Sequence, residues 1–531
     1  MADSAAEPTP QVPASTRRGA RTTSTSSFGA GRREGHDASD FYARFSPPNI
    51  SSDATVHGPV PELGSGACLL GDAADMHHLP DNSVALVVTS PPYFVGKEYE
   101  LAVTAEAEHP DRRIPETYLD FLQMLRSVFA ECVRVLEPGG RIAVNVANLG
   151  RKPYRSLSAD VIAILQDDLG LLLRGEVIWQ KGKTSSGSCA WGSFAKAANP
   201  VLRDITERVV IASKGRFDRA LSAPERRAQG LPHRSSIPND EFVDVTRDVW
   251  EIDAESATRV GHPAPFPVEL PRRLIDLYTY EGDIVCDPFM GSGSTLVAAA
   301  RTGRVGVGYD LDADYVDLAE RRVAAEHERS ARIASVTASV TEQPELELQL
   351  QLIETLSHDE RQDHFQARAV QDGKKAQDIA QALLERSGMI VEDKARVPQA
   401  GIQFTFKVAS QDSGGHWFVD VSGAFTTSRP GLLRTDTLWK MLGRLHVLQS
   451  VLVALDDPPL GVIVLTSNQP RPGSEGDKAL RAVGPRGVFD VIELHDPKGE
   501  ERLRRYAAGH TEPLAGFWSE AEVAAFTARG A

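Results

Sequence analysis

The sequence predicts an α/β protein in which a doubly wound parallel sheet is followed by a second, smaller α/β domain. From about residue 66 to about 325, apolar runs of strand length alternate with helical patterns, as in βαβ units. The runs are continuous, for example SVALVVTS at 83–90, which is typical of strands buried on both faces of a parallel sheet. A change to a Glu/Gln-rich composition at about 329 separates the two parts.

The elements of the first part follow in a regular order. A helix that begins near Thr117 places apolar residues three and four positions apart and is stopped by Pro138-Gly139-Gly140. Further helices are predicted at 157–169, 267–280, 294–303 and 313–328, and strands at 67–72, 83–90, 141–147, 175–180, 207–213, 283–289 and 304–312.

Composition divides the chain further. Residues 1–38 lack apolar periodicity and predict a disordered tail, and 39–328 hold the first domain. Within it, 216–247 is a polar insertion and a candidate for recognising a target. Residues 329–365 predict a helical or flexible linker, and 366–531 the second domain.

Charge and cysteine content exclude several classes of protein. The net charge of −15, from 58 Lys and Arg against 73 Asp and Glu, argues against non-specific coating of DNA. The four cysteines lie far apart, without CxxC spacing, so neither a disulfide framework nor a metal site is predicted. Without a secretory signal or an apolar run of about 18 residues, we expect a cytoplasmic protein.

A glycine-rich turn at 285–312 predicts a nucleoside-type ligand. The predicted strand ends in Asp287-Pro288-Phe289, and Gly291-Ser292-Gly293 then opens a helix, so that backbone can approach a ligand closely. The next strand ends in Asp310, where a carboxylate can accept both hydroxyls of a ribose. A tight turn filled by glycine for packing explains a lone GxG equally well, but the spaced Asp310 favours an adenosyl cofactor. The turn lacks GxxxxGK[ST], which excludes a P-loop.

Three separated motifs carry a family resemblance. TSPPY at 89–93, HPAPFPVELPRRLI at 262–275 and DPFMGSGST at 287–295 resemble the DNA amino-methyltransferases of the β arrangement, from about 66 to 325. The resemblance implies the methyltransferase fold with permuted motif order, in which the catalytic half precedes the half that binds S-adenosylmethionine. It also implies double-stranded DNA as a partner, and it raises a cognate restriction endonuclease as another.

The resemblance assigns catalysis to the segment Ser90, Pro91, Pro92 and Tyr93. The Ser90 hydroxyl and the Pro91 carbonyl are suited to hold the two protons of an exocyclic amine, and two prolines stiffen their loop. Tyr93 offers a flat face for a flipped base. The residues predicted to bind the cofactor are Asp72, Phe266, Pro267, Asp287, Phe289, Gly291, Ser292, Gly293, Thr295 and Asp310. Asp72 is equally well interpreted as a helix N-cap.

The resemblance implies cytosine N4 as the methylated amine, because most N4-cytosine members of the family have a serine, like Ser90, rather than an aspartate at the head of the motif, and adenine N6 is the alternative. Cytosine C5 methylation is excluded, because it needs a cysteine nucleophile after proline and none of the four cysteines follows one. Between 179 and 215, basic and aromatic residues interleave as in strand-gripping grooves. They are Lys181, Lys183, Lys196 and Arg203, with Trp179, Trp191 and Phe194.

The second domain faintly resembles PD-(D/E)XK nucleases in its predicted helix, strand and pair of strands. Asp420-Val421-Ser422 stands where Asp/Glu-x-Lys is expected, and the partner carboxylate near 403–405 is absent, so cleavage is not predicted. DNA recognition, a degenerate nuclease and subunit docking remain open, with Arg429, Arg434 and Lys440 as candidate DNA contacts. For the whole chain, the rival hypotheses are a bifunctional restriction–modification polypeptide and a non-catalytic DNA-binding regulator.

Overall fold

The computed structural model describes residues 50–530 apart from 59, 93–114, 116, 149–153, 182–191, 203, 238, 256–265, 343–354, 358–359, 362, 364–375, 412–414, 423–430, 434 and 456. The tail predicted at 1–38 lies outside these residues. In the described chain, no helix combines the length and the apolar character needed to span a membrane.

The larger sheet has eight strands. They are β1 (Gly66–Leu70), β2 (Val84–Thr89), β3 (Leu136–Val146), β4 (Leu172–Gln180), β5 (Thr206–Ser213), β6 (Val249–Glu251), β7 (Ile284–Asp287) and β8 (Val305–Asp310). Their order across the sheet is β1-β8-β7-β2-β3-β5-β4-β6. All neighbouring pairs are parallel except the two that involve β5.

The reversed direction of β5 differs from the predicted parallel sheet. A parallel neighbour needs a crossover, usually a helix, whereas antiparallel neighbours need only a loop. Residues 181–205, which join β4 to β5, contain no helix in their described part. The chain therefore reverses direction after β4 without a crossover helix, and β5 pairs antiparallel with both β3 and β4.

Helices cover both faces of this sheet. They are α1 (Tyr118–Val135), α2 (Leu157–Ala163), α3 (Ala223–Ala228), α4 (Asn239–Val245), α5 (Glu269–Tyr278), α6 (Ser294–Arg301) and α7 (Ala313–Glu342). Side chains alternate between the faces along a strand. Val87 accordingly belongs to one core cluster with residues of α1, while Leu86 and Val88 belong to another with residues of α5 and α6. This confirms the doubly wound arrangement.

Two boundaries differ from those predicted. The helix α1 ends at Val135, and the segment that was expected to stop it lies inside β3. Gly139 has a φ of +81°, and a Cβ there would lie 2.0 Å from the Asp218 carbonyl oxygen, so glycine allows the strand to pass close to this neighbouring segment. The helix α7 continues to Glu342, across the linker boundary predicted at 329.

Two arginines in the first part of the insertion at 216–247 pair with carboxylates near the amino ends of the strands. The guanidinium of Arg226, of which 1% is exposed, pairs with Glu137 and Asp283, and Arg219 pairs with the same two carboxylates. Glu137 lies near the start of β3, and Asp283 immediately precedes β7. Residues 216–234 thus lie at the edge of the sheet opposite the end of β2, which argues against the predicted target-recognition role for this part.

The strands described in the second part of the chain are β9 (Ile390–Asp393), β10 (Arg396–Val397), β11 (Ile402–Gln403), β12 (Phe406–Ala409), β13 (His416–Ser422), β14 (Val462–Thr466) and β15 (Val488–Glu493). Five of them form the second sheet, in the order β15-β14-β13-β12-β9. Its helices are α8 (Ala376–Arg386), α9 (Thr435–Val451), α10 (Glu475–Val483), α11 (Pro497–Ala507) and α12 (Glu520–Gly530). Residues of α8 and α11 pack on one face and residues of α9 and α10 on the other. The predicted smaller α/β unit is therefore present.

Candidate active site

The segment predicted to be catalytic follows β2 directly, in the middle of the larger sheet. Ser90 and Pro91 come after Thr89, the last residue of this fully buried strand. In open α/β sheets, ligands bind outside the carboxyl ends of the strands, so this is the edge at which a site is expected. Tyr93, the fourth predicted catalytic residue, lies outside the described residues.

A buried carboxylate links the end of β2, just before the predicted catalytic segment, to the glycine turn. The Thr89 hydroxyl donates a 2.7 Å hydrogen bond to Asp287 Oδ1, and the Thr295 hydroxyl donates one of the same length to Oδ2. Asp287 and Thr295 are both 0% exposed, so the structure does not support the direct cofactor contacts predicted for them. Burial raises the pKa of Asp287 to about 6. The two residues instead hold β2 against the start of α6.

The glycine turn and Asp310 meet at the ends of β7 and β8. Gly291 and Gly293 have φ angles of +47° and +76°, and a Cβ on Gly293 would lie 2.8 Å from that of Ala319. The Gly291 amide donates a 2.9 Å hydrogen bond to Asp310 Oδ2, while the Asp312 amide donates one to Oδ1. Burial raises the pKa of Asp310 above its ordinary value. The turn is thereby fixed to the end of the neighbouring strand.

The other predicted cofactor residues surround the same edge. Asp72 is exposed just beyond β1, which pairs with β8, and its carboxylate accepts the Ala74 amide in a turn rather than at the start of a helix. Phe266 and Pro267 are buried immediately before α5, Phe289 is partly buried, and Ser292 is 4% exposed. His262 lies outside the described residues.

These strand ends fit an adenosyl cofactor. The glycines leave room for backbone to approach a ligand, and the Asp310 carboxylate, whose oxygens accept the Gly291 and Asp312 amides, keeps lone-pair capacity for a ribose hydroxyl. Asp72 can accept from an exocyclic amine of adenine. Gly291, Gly293, Asp310 and Asp72 are therefore the residues that could hold the cofactor, with Asp287 and Thr295 positioning the turn.

A polar chain behind Ser90 was not predicted from the sequence. Asn145 on β3 donates a 2.6 Å hydrogen bond to Glu207 on β5 and lies 3.5 Å from the Ser90 hydroxyl. Glu207 in turn pairs with the Lys181 ammonium at 2.5 Å. Asn145 is 1% exposed, and the only signal in the sequence is one amide inside the apolar run RIAVNVA.

The basic and aromatic segment divides into core and surface residues. Trp179 is 3% exposed and its indole donates to the Ile252 carbonyl, so it is a core residue and not part of a groove. Lys181 forms an ion pair with Glu207, whereas Phe194 and Lys196 are exposed. Lys183, Trp191 and Arg203 lie outside the described residues. Because β4 ends and β5 begins at the Ser90 edge, Lys181 and Ile205, which flank these strand ends, lie on the side of the site.

Known proteins are similar to the part of the chain that contains this candidate site. The model of the DNA methylase family matches residues 84–321. The Type II methyltransferase M.MthZI of Methanothermobacter thermautotrophicus is 30% identical over 276 residues, which are 48% of this chain and 74% of that protein. The Type II methyltransferase M.MjaI of Methanocaldococcus jannaschii is 28% identical over 288 residues, 49% of this chain and 92% of that protein.

A solved structure matches the same region. It is that of TTHA0409 from Thermus thermophilus, a candidate DNA modification methylase complexed with S-adenosyl-L-methionine. The identity is 29% over 48% of this chain and 92% of that one, with a TM-score of 0.36, too low to bear on the fold. Because the family model matches 84–321 and M.MthZI is similar over most of its length, this chain belongs to the N6/N4 family of DNA methylases.

Proposed function

We propose that this DNA amino-methyltransferase methylates cytosine N4 of a base flipped out of double-stranded DNA, with S-adenosylmethionine as the methyl donor. The observation that supports this proposal most strongly is the hydrogen bond from the Thr89 hydroxyl to Asp287. It joins the residue before Ser90 to the strand that leads into the glycine turn, so the group that holds the amine and the turn that holds the cofactor are fixed to each other.

Ser90 and Pro91 supply the chemistry at the amine. The lone pair of an exocyclic amine is conjugated with the ring, so the nitrogen is a weak nucleophile until acceptors hold its two protons and favour its pyramidal form. The Ser90 hydroxyl oxygen and the Pro91 carbonyl oxygen are such acceptors, preorganised by two prolines. When bound, S-adenosylmethionine would supply an electrophilic methyl group, whose bond to sulfur breaks with the electron pair remaining on sulfur. The Ser90 and Pro91 oxygens would hold the two amine protons while the nitrogen lone pair forms the new bond to carbon, and one of these protons would then pass to water.

We propose that DNA approaches the carboxyl edge of the sheet. The segments that follow β2, β4 and β6 begin at this edge, with Ser90, Lys181 and Ile252 as their first residues. Exposed Phe194 and Lys196 belong to the second of these segments. Their position supports a role in gripping DNA, in place of the insertion at 216–234.

The methylated nucleoside tests the proposal directly. DNA incubated with the full chain and S-adenosylmethionine is hydrolysed and its nucleosides are measured by mass spectrometry. We expect N4-methylcytosine, with a rate that falls about a hundredfold or more in Ser90→Ala while cofactor affinity stays within twofold. N6-methyladenine would contradict the choice of base, and full activity of Ser90→Ala would contradict the role of the hydroxyl.

We also propose that residues 366–531 form a degenerate PD-(D/E)XK-like domain that does not cleave DNA. The order α8, β9 and the antiparallel pair β12–β13 supports the outline on which this resemblance depends. Asp420 is paired with Arg444, and Ser422 occupies the position of the expected lysine. A separate restriction endonuclease with the same target would then be the cognate partner. Arg429 and Arg434 lie outside the described residues, and Lys440 is exposed.

A further inference from the structure

A cavity of about 230 Å³ lies beside the second sheet. Its described lining comes from α8, from the segment between β9 and β12, from β13 and from α9. The eight residues are Gln377, Lys394, Gln403, Phe404, Thr405, Phe406, Asp420 and Arg444. One water occupies roughly 30 Å³ in the liquid, so a ligand several times larger fits.

The charge of this lining is positive. Lys394 and Arg444 are cations, and Asp420 is the sole carboxylate among the eight described lining residues. Asp420 is 2% exposed, and Arg444 Nη2 donates to its Oδ2 at 2.5 Å. The Ser422 hydroxyl donates to the same oxygen at 2.8 Å. Because the one negative charge is already compensated by Arg444, the ammonium of Lys394 is left as excess positive charge.

The lining also keeps donors that no described acceptor uses. Arg444 Nε is buried and has no hydrogen-bond partner among the described residues. The Thr405 oxygen accepts the Val421 amide at 3.1 Å, which leaves its own proton available for donation. Lys394 has a left-handed φ of +44°, an uncommon conformation for a side chain other than glycine, asparagine or aspartate. The backbone thus holds a lysine at the cavity at some conformational cost.

We propose that this cavity binds a phosphate group, either of the DNA backbone or of free phosphate. Guanidinium, ammonium and hydroxyl donors around a compact space are the groups that recognise phosphate oxygens. A divalent cation would instead need several oxygen ligands of negative charge, and the described residues contain no group of three or more histidine, cysteine or acidic side chains that could hold a metal ion. This proposal is independent of the methylation of DNA.

Calorimetric titration of the full chain with inorganic phosphate at low ionic strength tests the proposal. We expect millimolar or tighter binding that weakens about tenfold in Lys394→Gln, which removes one charge-assisted contact without breaking an ion pair. Arg396→Gln is the matched control, because it removes an exposed cation two positions away that does not line the cavity, and it should leave the affinity unchanged.

Asp420→Asn gives the result that separates an anion from a cation. Removing the carboxylate should tighten phosphate binding several-fold, because a repulsive charge is lost. Weaker phosphate binding in Asp420→Asn, no phosphate binding by the wild type, or magnesium binding that Asp420→Asn abolishes would each overturn the proposal.

Binding to a DNA duplex distinguishes the two sources of phosphate. If the ligand is a backbone phosphate, Lys394→Gln should lower the salt dependence of duplex binding by about one counterion relative to Arg396→Gln. An equal salt dependence in the two variants, together with the expected phosphate titration, assigns the cavity to free phosphate.

Discussion

Asp287 is a carboxylate enclosed by two threonine hydroxyls and the Phe289 amide, and its burial determines how it responds to pH. A folded-state pKa of about 6, raised from the ordinary 3.8, means that the folded protein binds a proton that the unfolded chain releases in this range. The stability contribution of Asp287 therefore falls as pH rises from about 4 to about 6 and is constant above that.

We compare the free energy of unfolding of Asp287→Asn with that of the wild type. Between pH 4 and pH 7 we expect this difference to shift by about 3 kcal/mol in favour of the variant. The asparagine cannot ionise, so it avoids the cost of a buried charge, while a constant offset from altered hydrogen bonds cancels in the comparison. Thermal melting at several pH values measures the difference, with Asp314→Asn, an exposed carboxylate on α7, as the control. Parallel curves for wild type and Asp287→Asn would contradict the burial of the charge.

Gly293→Ala should weaken S-adenosylmethionine binding by about tenfold or more. The new Cβ would lie 2.8 Å from that of Ala319, and the positive φ adds strain, so the turn must move away from its present position. Gly303→Ala is a matched control, because Gly303 has a similar φ of +71° with no atom within 4 Å of the added Cβ. Calorimetry with the cofactor should show an effect in the first variant alone. Equal affinities would place the cofactor elsewhere.

Among the strands, β3 and β5 carry the polar chain that ends near Ser90, and Lys181, just after β4, completes it. Glu207 accepts from Asn145 with one oxygen and pairs with Lys181 through the other. Both partners are donors, so a carboxylate satisfies them at once, whereas a carboxamide would present its own N–H to one of them. The charge of Glu207 therefore fixes the orientation of the Asn145 amide.

Glu207→Gln should lower the methylation rate about tenfold, with cofactor affinity within twofold, because the Asn145 amide loses its fixed orientation toward Ser90. Single-turnover kinetics and calorimetry separate these effects. Glu176→Gln is the control on the same strand pair, since Glu176 pairs with Arg208 at 3.5 Å on a more exposed part of β4 and β5. A rate equal to that of the control would show that the chain does not position Ser90.

How much the sequence could predict follows from how far apart the contacting residues lie. Ser90-Pro91 and the glycine turn were found because each motif is contiguous, and the helices and strands because their apolar patterns are local. The Asn145–Glu207 contact spans 62 positions and Thr89–Asp287 spans 198. No local pattern encodes such pairs, so the burial of Asp287, the direction of β5 and the anchoring of the polar insertion became apparent only in the fold.

Across the whole molecule, the carboxyl ends and the amino ends of the strands in the larger sheet have different roles. The carboxyl edge holds Ser90 and Pro91 of the proposed catalytic segment, the glycine turn, and the first residues of the segments proposed to meet DNA. The amino edge holds a buried network in which Arg219 and Arg226 pair with Glu137 and Asp283. Stability and catalysis should therefore be separable by mutation.

Arg226→Gln should destabilise the protein by about 3–5 kcal/mol, because it leaves buried carboxylates without one of their two cations. At a temperature where the variant is still folded, its methylation rate should match that of the wild type. Arg234→Gln is the control, since its side chain is 72% exposed and its pair with Glu281 is 3.5 Å long. Urea unfolding measures the loss. A small loss for Arg226→Gln would contradict the role of the network, and a slow but stable enzyme would contradict the separation of the edges.

The bond between Thr89 and Asp287 also bears on synthesis of the chain. The neighbour β7 of the central strand β2 is made only after a further 195 positions, between Thr89 and Ile284. Translation adds about 5–20 residues per second, so roughly 10–40 seconds pass between the synthesis of β2 and that of β7. During that interval the edge of β2 that later pairs with β7 stays unpaired in the nascent protein and is accessible to chaperones and to other chains. A ribosome that stalls before β7 would therefore release a product that is inactive and prone to aggregate.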